Sequence, residues 1–180
     1  MLTRSSGVLM HITSLPNAFG IGSFGQSAYD FVDFLVETKQ TYWQILPLGP
    51  TSYGDSPYQS FSAFAGNTHF LDFDTFVKEG LLTEDELAGN WGDDSTTVDY
   101  ALIYEKRRPI LEKVVQRFLK KEDLTDYHRF VEEKAEWLEP FAEYMAIKES
   151  FDMKSWSKWT DEDIKRRKPE ALATYREKLA

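Results

Sequence analysis

No cysteine occurs among the 180 residues. Disulfides, thiolate metal sites and a cysteine nucleophile are therefore excluded, and the composition suits a reducing compartment. Positive charge is also scarce. Lys and Arg number 21 against 30 Asp and Glu, which gives a formal net charge of −9. Phosphate backbones are gripped by basic surfaces, so a nucleic-acid partner is disfavoured, whereas an uncharged ligand such as a sugar is compatible. Long apolar runs are missing too. The opening "MLTRSSGVLMHITSLP" is too short and too polar in its apolar part for a signal peptide or a membrane span. The expectation is a cytoplasmic protein with no membrane partner. His11, His69 and His128 are scattered along the chain, so no metal cluster is proposed. One stretch lacks charge almost entirely. "SYGDSPYQSFSAFAGN", residues 52–67, carries only Asp55. A solvated loop normally carries charges; a loop lining a sugar groove carries aromatic and small polar groups instead.

What is present divides the chain into two halves of different character. "GVLMHI" (Gly7 to Ile12) reads as a buried strand running into the loop "TSLPNAFGIG". "SAYDFVDFLVET" reads as a helix capped by Ser27, with Asp30 three residues on and Ala28, Phe31, Phe34 and Leu35 on one face. "TYWQILPLGP" reads as a second strand, halted by Pro and Gly. Strand, helix and strand with short connections form a βαβ unit, which implies an α/β protein with a parallel sheet. Ligands in such folds bind outside the carboxyl ends of the strands, and the uncharged stretch leaves one of those ends. "HFLDFD" is a candidate third extended segment.

After it the pattern turns helical. Thr83 and Glu86 form a capping box with Gly89 as a stop, and Pro109 begins or kinks a helix whose stripe is Ile110, Leu111, Val114, Val115 and Phe118. A long amphipathic helix carries Tyr127, Phe130, Val131, Trp137, Leu138, Phe141 and Met145 on one face, with Pro140 inside it. "TDEDIKRRKPEALATYREKLA" is expected to cap at Thr160, break at Pro169 and restart. The basic runs Lys106–Arg108 and Lys165–Arg167 read as solvated helix faces.

Three segments carry a resemblance. "GVLMHITSLPNAFGIGSFG", "YWQILPLGPTSYGDSPYQSFSAFAGN" and "VDYALIYEKR" closely resemble the N-terminal part of the 4-alpha-glucanotransferases, the amylomaltases or disproportionating enzymes of glycoside hydrolase family 77. The resemblance spans essentially the whole chain and is strongest from Gly7 to Asn67. It implies the N-terminal portion of a (β/α)8 TIM barrel with an inserted helical subdomain. Residues 1–78 would supply the first βα units with glucan-facing loops, 79–160 a mostly helical inserted subdomain, and 161–180 the start of a further helix. It implies an enzyme that transfers a segment of an α-1,4-glucan to the 4-hydroxyl of an acceptor glucan or glucose by retaining double displacement. An Asp nucleophile, a Glu acid/base and a stabilising Asp would carry the chemistry. In the family these lie on later strands, beyond Ala180, so no catalytic residue is assigned here and this chain alone is expected to be inactive. No cofactor and no metal is implied. The expected partners are maltooligosaccharides and the remaining part of the same barrel.

Residue by residue, Ser56 and Tyr58 match positions that touch sugar near the reacting bond: a Tyr ring stacks on a pyranose and a Ser hydroxyl reads a sugar hydroxyl. Tyr53 and Tyr100 match two tyrosines that in some members grip glucan at a second site; Tyr100 also has a reading as a core residue of a helix face. Gly54 and Pro57 shape the loop. Asp55 is read either as a sugar-binding or catalytic carboxylate or as a turn residue bonded to its own backbone. The turn reading is preferred, because no partner carboxylate is in view. His11, at the end of the first strand, is read as structural rather than as a binding residue. Phe19, Thr68 and His69 depart from the common family pattern, which bears on chain-length preference or packing. The alternatives from other classes are a non-catalytic α-glucan-binding module built on Tyr53, Tyr58 and Tyr100, and a different α/β hydrolase acting through Asp55.

Overall fold

A computed structural model describes residues 4–52 and 54–179. It divides into two compact units, Met1–Leu124 and Thr125–Ala180.

The first unit begins with the expected βαβ. Strand β1 (Gly7–Leu9) pairs in parallel with β2 (Tyr42–Gln44), in the register Gly7 to Tyr42, Val8 to Trp43 and Leu9 to Gln44. Helix α1 (Gln26–Glu37) joins them and buries Ala28 and Leu35. Period-two alternation sorts the strands. The Trp43 ring packs 4.9 Å from Phe31 of α1, and its indole N–H donates to the Met10 carbonyl at 2.7 Å. Leu9 and Tyr42 stay exposed on the pairing's other positions. Ile12, Leu15, Ala28 and Phe70 form the small core behind the sheet.

Ser27 does not cap α1. The N-cap is Gly25, and the Ser27 hydroxyl donates instead to the Pro16 carbonyl at 2.6 Å, tying the loop after β1 to the helix. The segment "HFLDFD" is not a strand either. Asn67 caps a 3-10 turn (Thr68–Phe70) by accepting from the His69 N–H at 2.9 Å. Asp72 then caps α2 (Phe73–Lys78), accepting from the Thr75 N–H at 3.0 Å. Two capping side chains five positions apart bend the backbone into turns, although the alternation of apolar and polar residues imitates a strand.

Helix α3 (Glu84–Leu87) carries the predicted capping box, with Glu86 accepting from the Thr83 N–H at 3.1 Å. Helix α4 (Tyr100–Phe118) is capped by Asp99 and runs through Pro109, which lies inside it and does not begin it. Its buried positions are Ile103, Arg107, Ile110 and Val114. Ile110 and Val114 pack with Phe73, Leu81, Leu82 and Leu87, and the Phe19 and Trp91 rings lie against that cluster. Arg107, expected on a solvated face, is 1% exposed. Its guanidinium carbon sits 3.9 Å from the Phe73 ring centroid and one of its N–H groups donates to the Leu71 carbonyl at 2.6 Å. An arginine can be buried where a ring face and a carbonyl replace water.

The second unit consists of α5 (Thr125–Ser150), α6 (Glu162–Lys165) and α7 (Pro169–Leu179). Ile147, Trp159 and Ile164 form its core, with Phe151 stacked on Trp159 at 5.2 Å. Glu143 pairs with Arg167 at 3.2 Å and Arg176 at 2.5 Å. The α6 cap is Asp161, one residue beyond Thr160, because its carboxylate reaches both the Asp163 and Ile164 N–H groups. Pro169 opens α7 at a position where its missing N–H costs nothing. No helix among the described residues is long and apolar enough to cross a membrane.

Candidate functional site

The uncharged stretch leaves β2 and returns to the 3-10 turn before α2. Its base is closed by the Asn67 N–H donating to the Leu48 carbonyl at 2.8 Å. Inside, serine hydroxyls do the bonding that charges or sheet partners do elsewhere. Ser62 Oγ accepts from the Phe64 and Ala65 N–H groups at 3.2 and 3.0 Å, and the Ser60 hydroxyl donates to the Ser62 carbonyl at 2.8 Å. Short side chains that bond neighbouring backbone hold a loop without filling its hollow. The result is a concavity of about 680 Å³ bordered by Pro47, Pro57, Tyr58, Phe61 and Phe64.

The Tyr58 ring is 73% exposed on that hollow. Ser56, two residues earlier, accepts from the Tyr58 N–H at 3.4 Å, so its own hydroxyl hydrogen remains available to a ligand. Pro57 lines the same hollow. Gly54 has φ +84 in a turn closed by the Asp55 N–H donating to the Ser52 carbonyl at 3.0 Å, a conformation natural to glycine. Tyr53 lies outside the described residues.

Asp55 follows with φ +53. Its carboxylate does not turn back to its own backbone. Oδ1 accepts from the Tyr104 hydroxyl of α4 at 2.6 Å and from the Thr51 hydroxyl at 3.4 Å. Tyr104 is pushed up to about 12, first by burial and then by this bond to an anion. Tyr100, one turn earlier on α4, is half-buried, and burial followed by the Asp55 charge raises its pKa. The His69 ring meets Tyr104 edge-on at 4.9 Å. Burial, reinforced by nearby Arg107, brings His69 down to about 4, so it is neutral at physiological pH. Burial also brings Arg107 down to about 10.

Asp55, Tyr100, Tyr104, Thr51 and His69 thus form one cluster at the start of the loop, with half-buried Ser56 next in the chain and exposed Tyr58 on the hollow. His11 stands apart. Its Nδ1 accepts from the Leu46 N–H at 3.3 Å and its ring meets Phe70 at 5.5 Å, so it clamps the exit of β2. Phe19 packs 5.5 Å from Phe73 and 5.7 Å from Trp91, which makes its missing hydroxyl a matter of core packing. Among the described residues no group of three or more His, Asp or Glu could hold a metal ion. The arrangement suits binding: an exposed ring, a hydroxyl and a concave wall. Among the described residues, the side chains that bond the Asp55 carboxylate are two hydroxyls, those of Tyr104 and Thr51, and not the second carboxyl group of a glycosidase pair.

The sequence profile of the 4-alpha-glucanotransferase family, glycoside hydrolase family 77, matches residues 10–180. The chain belongs to the 4-alpha-glucanotransferase family. A 4-alpha-glucanotransferase of Streptococcus pneumoniae is 64% identical over the whole chain, which covers 36% of that protein. One from Thermus thermophilus is 40% identical over 99% of this chain and 35% of its own. Among solved structures, the amylomaltase of Streptococcus agalactiae in complex with acarbose matches with a TM-score of 0.94 and 57% identity, over 98% of this chain and 36% of that one. The chain therefore spans about a third of the length of these glucanotransferases, and the fold described here is that of the corresponding part of amylomaltase.

Tyr104 and Thr51 are the members of the cluster that sequence reasoning did not single out. The available signal was spacing. Tyr104 lies one helical turn after Tyr100 in "VDYALIYEK", and positions four apart share a helix face.

Proposed function

We propose that this chain is the N-terminal part of a 4-alpha-glucanotransferase and builds part of its glucan-binding wall. The full enzyme transfers a segment of an α-1,4-glucan to the 4-hydroxyl of another glucan or of glucose through a covalent glycosyl-enzyme, with overall retention. Acarbose, present in the streptococcal amylomaltase complex, supports an α-glucan as the ligand class. The observation that carries the reading is an exposed Tyr58 ring bordering a concave loop whose one charge is Asp55, with the Ser56 hydroxyl two residues earlier in the chain. A pyranose offers a flat apolar face and a rim of hydroxyls, which an aromatic ring and a small hydroxyl match without any charge. Tyr100, with Tyr53, contributes a second glucan contact. Gly54, Asp55 and Pro57 set the loop's course.

In this reading β1, α1 and β2 are the opening of a (β/α)8 barrel, and the helices after residue 78 are an insertion into it. The nucleophile and the acid/base come from residues outside the chain. No cofactor or metal takes part. The full enzyme remodels maltodextrins in the cytoplasm, away from membranes and nucleic acid.

Maltotriose disproportionation tests this. A protein of full family length carrying this chain should release glucose and longer maltodextrins, while the 180-residue chain alone should release neither. No products from the long form would overturn the activity. Products from the short form would place the catalytic carboxylates within these residues.

A further inference from the structure

We propose that Tyr104 is a positioning residue for the glucan-binding loop, holding Ser56 and Tyr58 in place through its hydrogen bond to Asp55. The inference rests on the glucan-wall reading above and goes beyond it, because Tyr104 bonds Asp55 and does not itself border the hollow.

The geometry is specific. Gly54 and Asp55 both have left-handed backbone, φ +84 and φ +53. A non-glycine residue adopts that conformation reluctantly, although Asp tolerates it better than most. Something must keep Asp55 there, and what its side chain meets is the Tyr104 hydroxyl at 2.6 Å, with the Thr51 hydroxyl 3.3 Å from the same phenol. The loop's only charge is therefore fixed to α4 and is not left to solvent. Ser56 is the next residue and Tyr58 lies three positions after Asp55, so a change of backbone at Asp55 displaces both. The same Tyr104 ring touches His69, where the loop rejoins the fold, at 4.9 Å. One side chain thus bonds the outgoing arm and packs on the returning arm. Tyr100, one turn away on α4, links the second glucan contact to the same helix.

The test uses the family-length protein and four variants: Tyr104→Phe, Asp55→Ala, the double variant and Asp55→Asn. Steady-state maltotriose disproportionation and thermal melting are read for each. Tyr104→Phe keeps the ring and removes the phenol's short bond to Asp55 and its longer one to Thr51, and is expected to lower kcat/KM about fivefold, mainly through KM, with little change in melting. The double variant should be no worse than Asp55→Ala alone, because both changes break the same Tyr104–Asp55 bond. Asp55→Asn keeps the accepting oxygen and tolerates left-handed backbone, so it should restore most of what Asp55→Ala loses. Additive losses, a fall in kcat at constant KM, or an Asn variant as poor as the Ala variant would each overturn the proposal. If Tyr104→Phe fails to fold, the Asn-against-Ala comparison decides. A protein that is inactive before any substitution sinks the activity reading alone. Tyr104 is then judged by amide exchange at Gly54, Asp55, Ser56 and Tyr58, which Tyr104→Phe should accelerate about fivefold and which unchanged rates would refute.

Discussion

The Ser23 hydroxyl donates to Asp72 Oδ1 at 2.8 Å, joining the loop after β1 to the cap of α2 across 49 positions of sequence. Asp72 Oδ2 meanwhile accepts from the Thr75 N–H and hydroxyl at 3.0 and 2.9 Å. Gly25 lies directly against this carboxylate, and a Cβ there would collide with it. Asp72→Ala should therefore cost about 2–3 kcal/mol, more than a simple helix cap, because a buried hydroxyl also loses its partner. Gly25→Ala should destabilise as well, by pushing the carboxylate away. Denaturant midpoints check both, and two midpoints equal to the parent's would contradict the linkage.

Arg107 is buried between the Phe73 ring and the Leu71 carbonyl. Arg107→Ala should destabilise the first unit by about 3 kcal/mol, through a cavity and an unpaired carbonyl. Arg107→Met retains an apolar stem over the ring and should recover roughly half of that loss. Equal losses in the two variants would show that the charge, and not the packing, matters.

His69 ties stability to acid. Its pKa falls from 6.5 unfolded to about 4 folded. Above pH 6.5 it is neutral in both states. Between 6.5 and 4 the unfolded chain takes up a proton that the folded chain refuses, so stability declines as pH falls through this window. His11, also shifted down by burial, acts in the same direction. His69→Phe keeps an aromatic edge against Tyr104 and has no proton to gain. Its stability should fall less between pH 7 and pH 4, as read by urea unfolding at each pH. Parallel pH profiles for parent and variant would rule out His69 as the acid-sensitive group.

Leu9 and Tyr42 on the sheet, and Phe34 and Val36 on α1, leave large apolar surface exposed. Exposed strand edges and apolar faces drive association. The 180-residue chain by itself should sediment as more than a monomer at micromolar concentration. A monodisperse monomer with a sharp cooperative melt is the opposing result.

The βαβ unit was legible because period-two and period-3.6 patterns sat between Pro and Gly stops. The uncharged loop was legible because its composition departs from the charged remainder. What misled was local chemistry with a tertiary partner. Ser27 resembles a cap until Pro16 takes its hydroxyl. "HFLDFD" alternates like a strand, but Asn67 and Asp72 each bend it. Arg107 belongs to a basic run and is buried because Phe73, 34 positions earlier in the sequence, offers its ring. Asp55 reads as a local turn residue, whereas its partner Tyr104 is 49 positions away. Sequence pattern carries periodicity and spacing; it does not carry which distant hydroxyl a carboxylate will find.

The most direct measurement is the KM for maltotriose of the family-length protein with Tyr58→Ala and, separately, Ser56→Ala. If the loop is the glucan wall, each substitution should raise KM, Tyr58→Ala by about tenfold, with melting unchanged. KM and kcat both equal to the parent's would mean that glucan binds elsewhere.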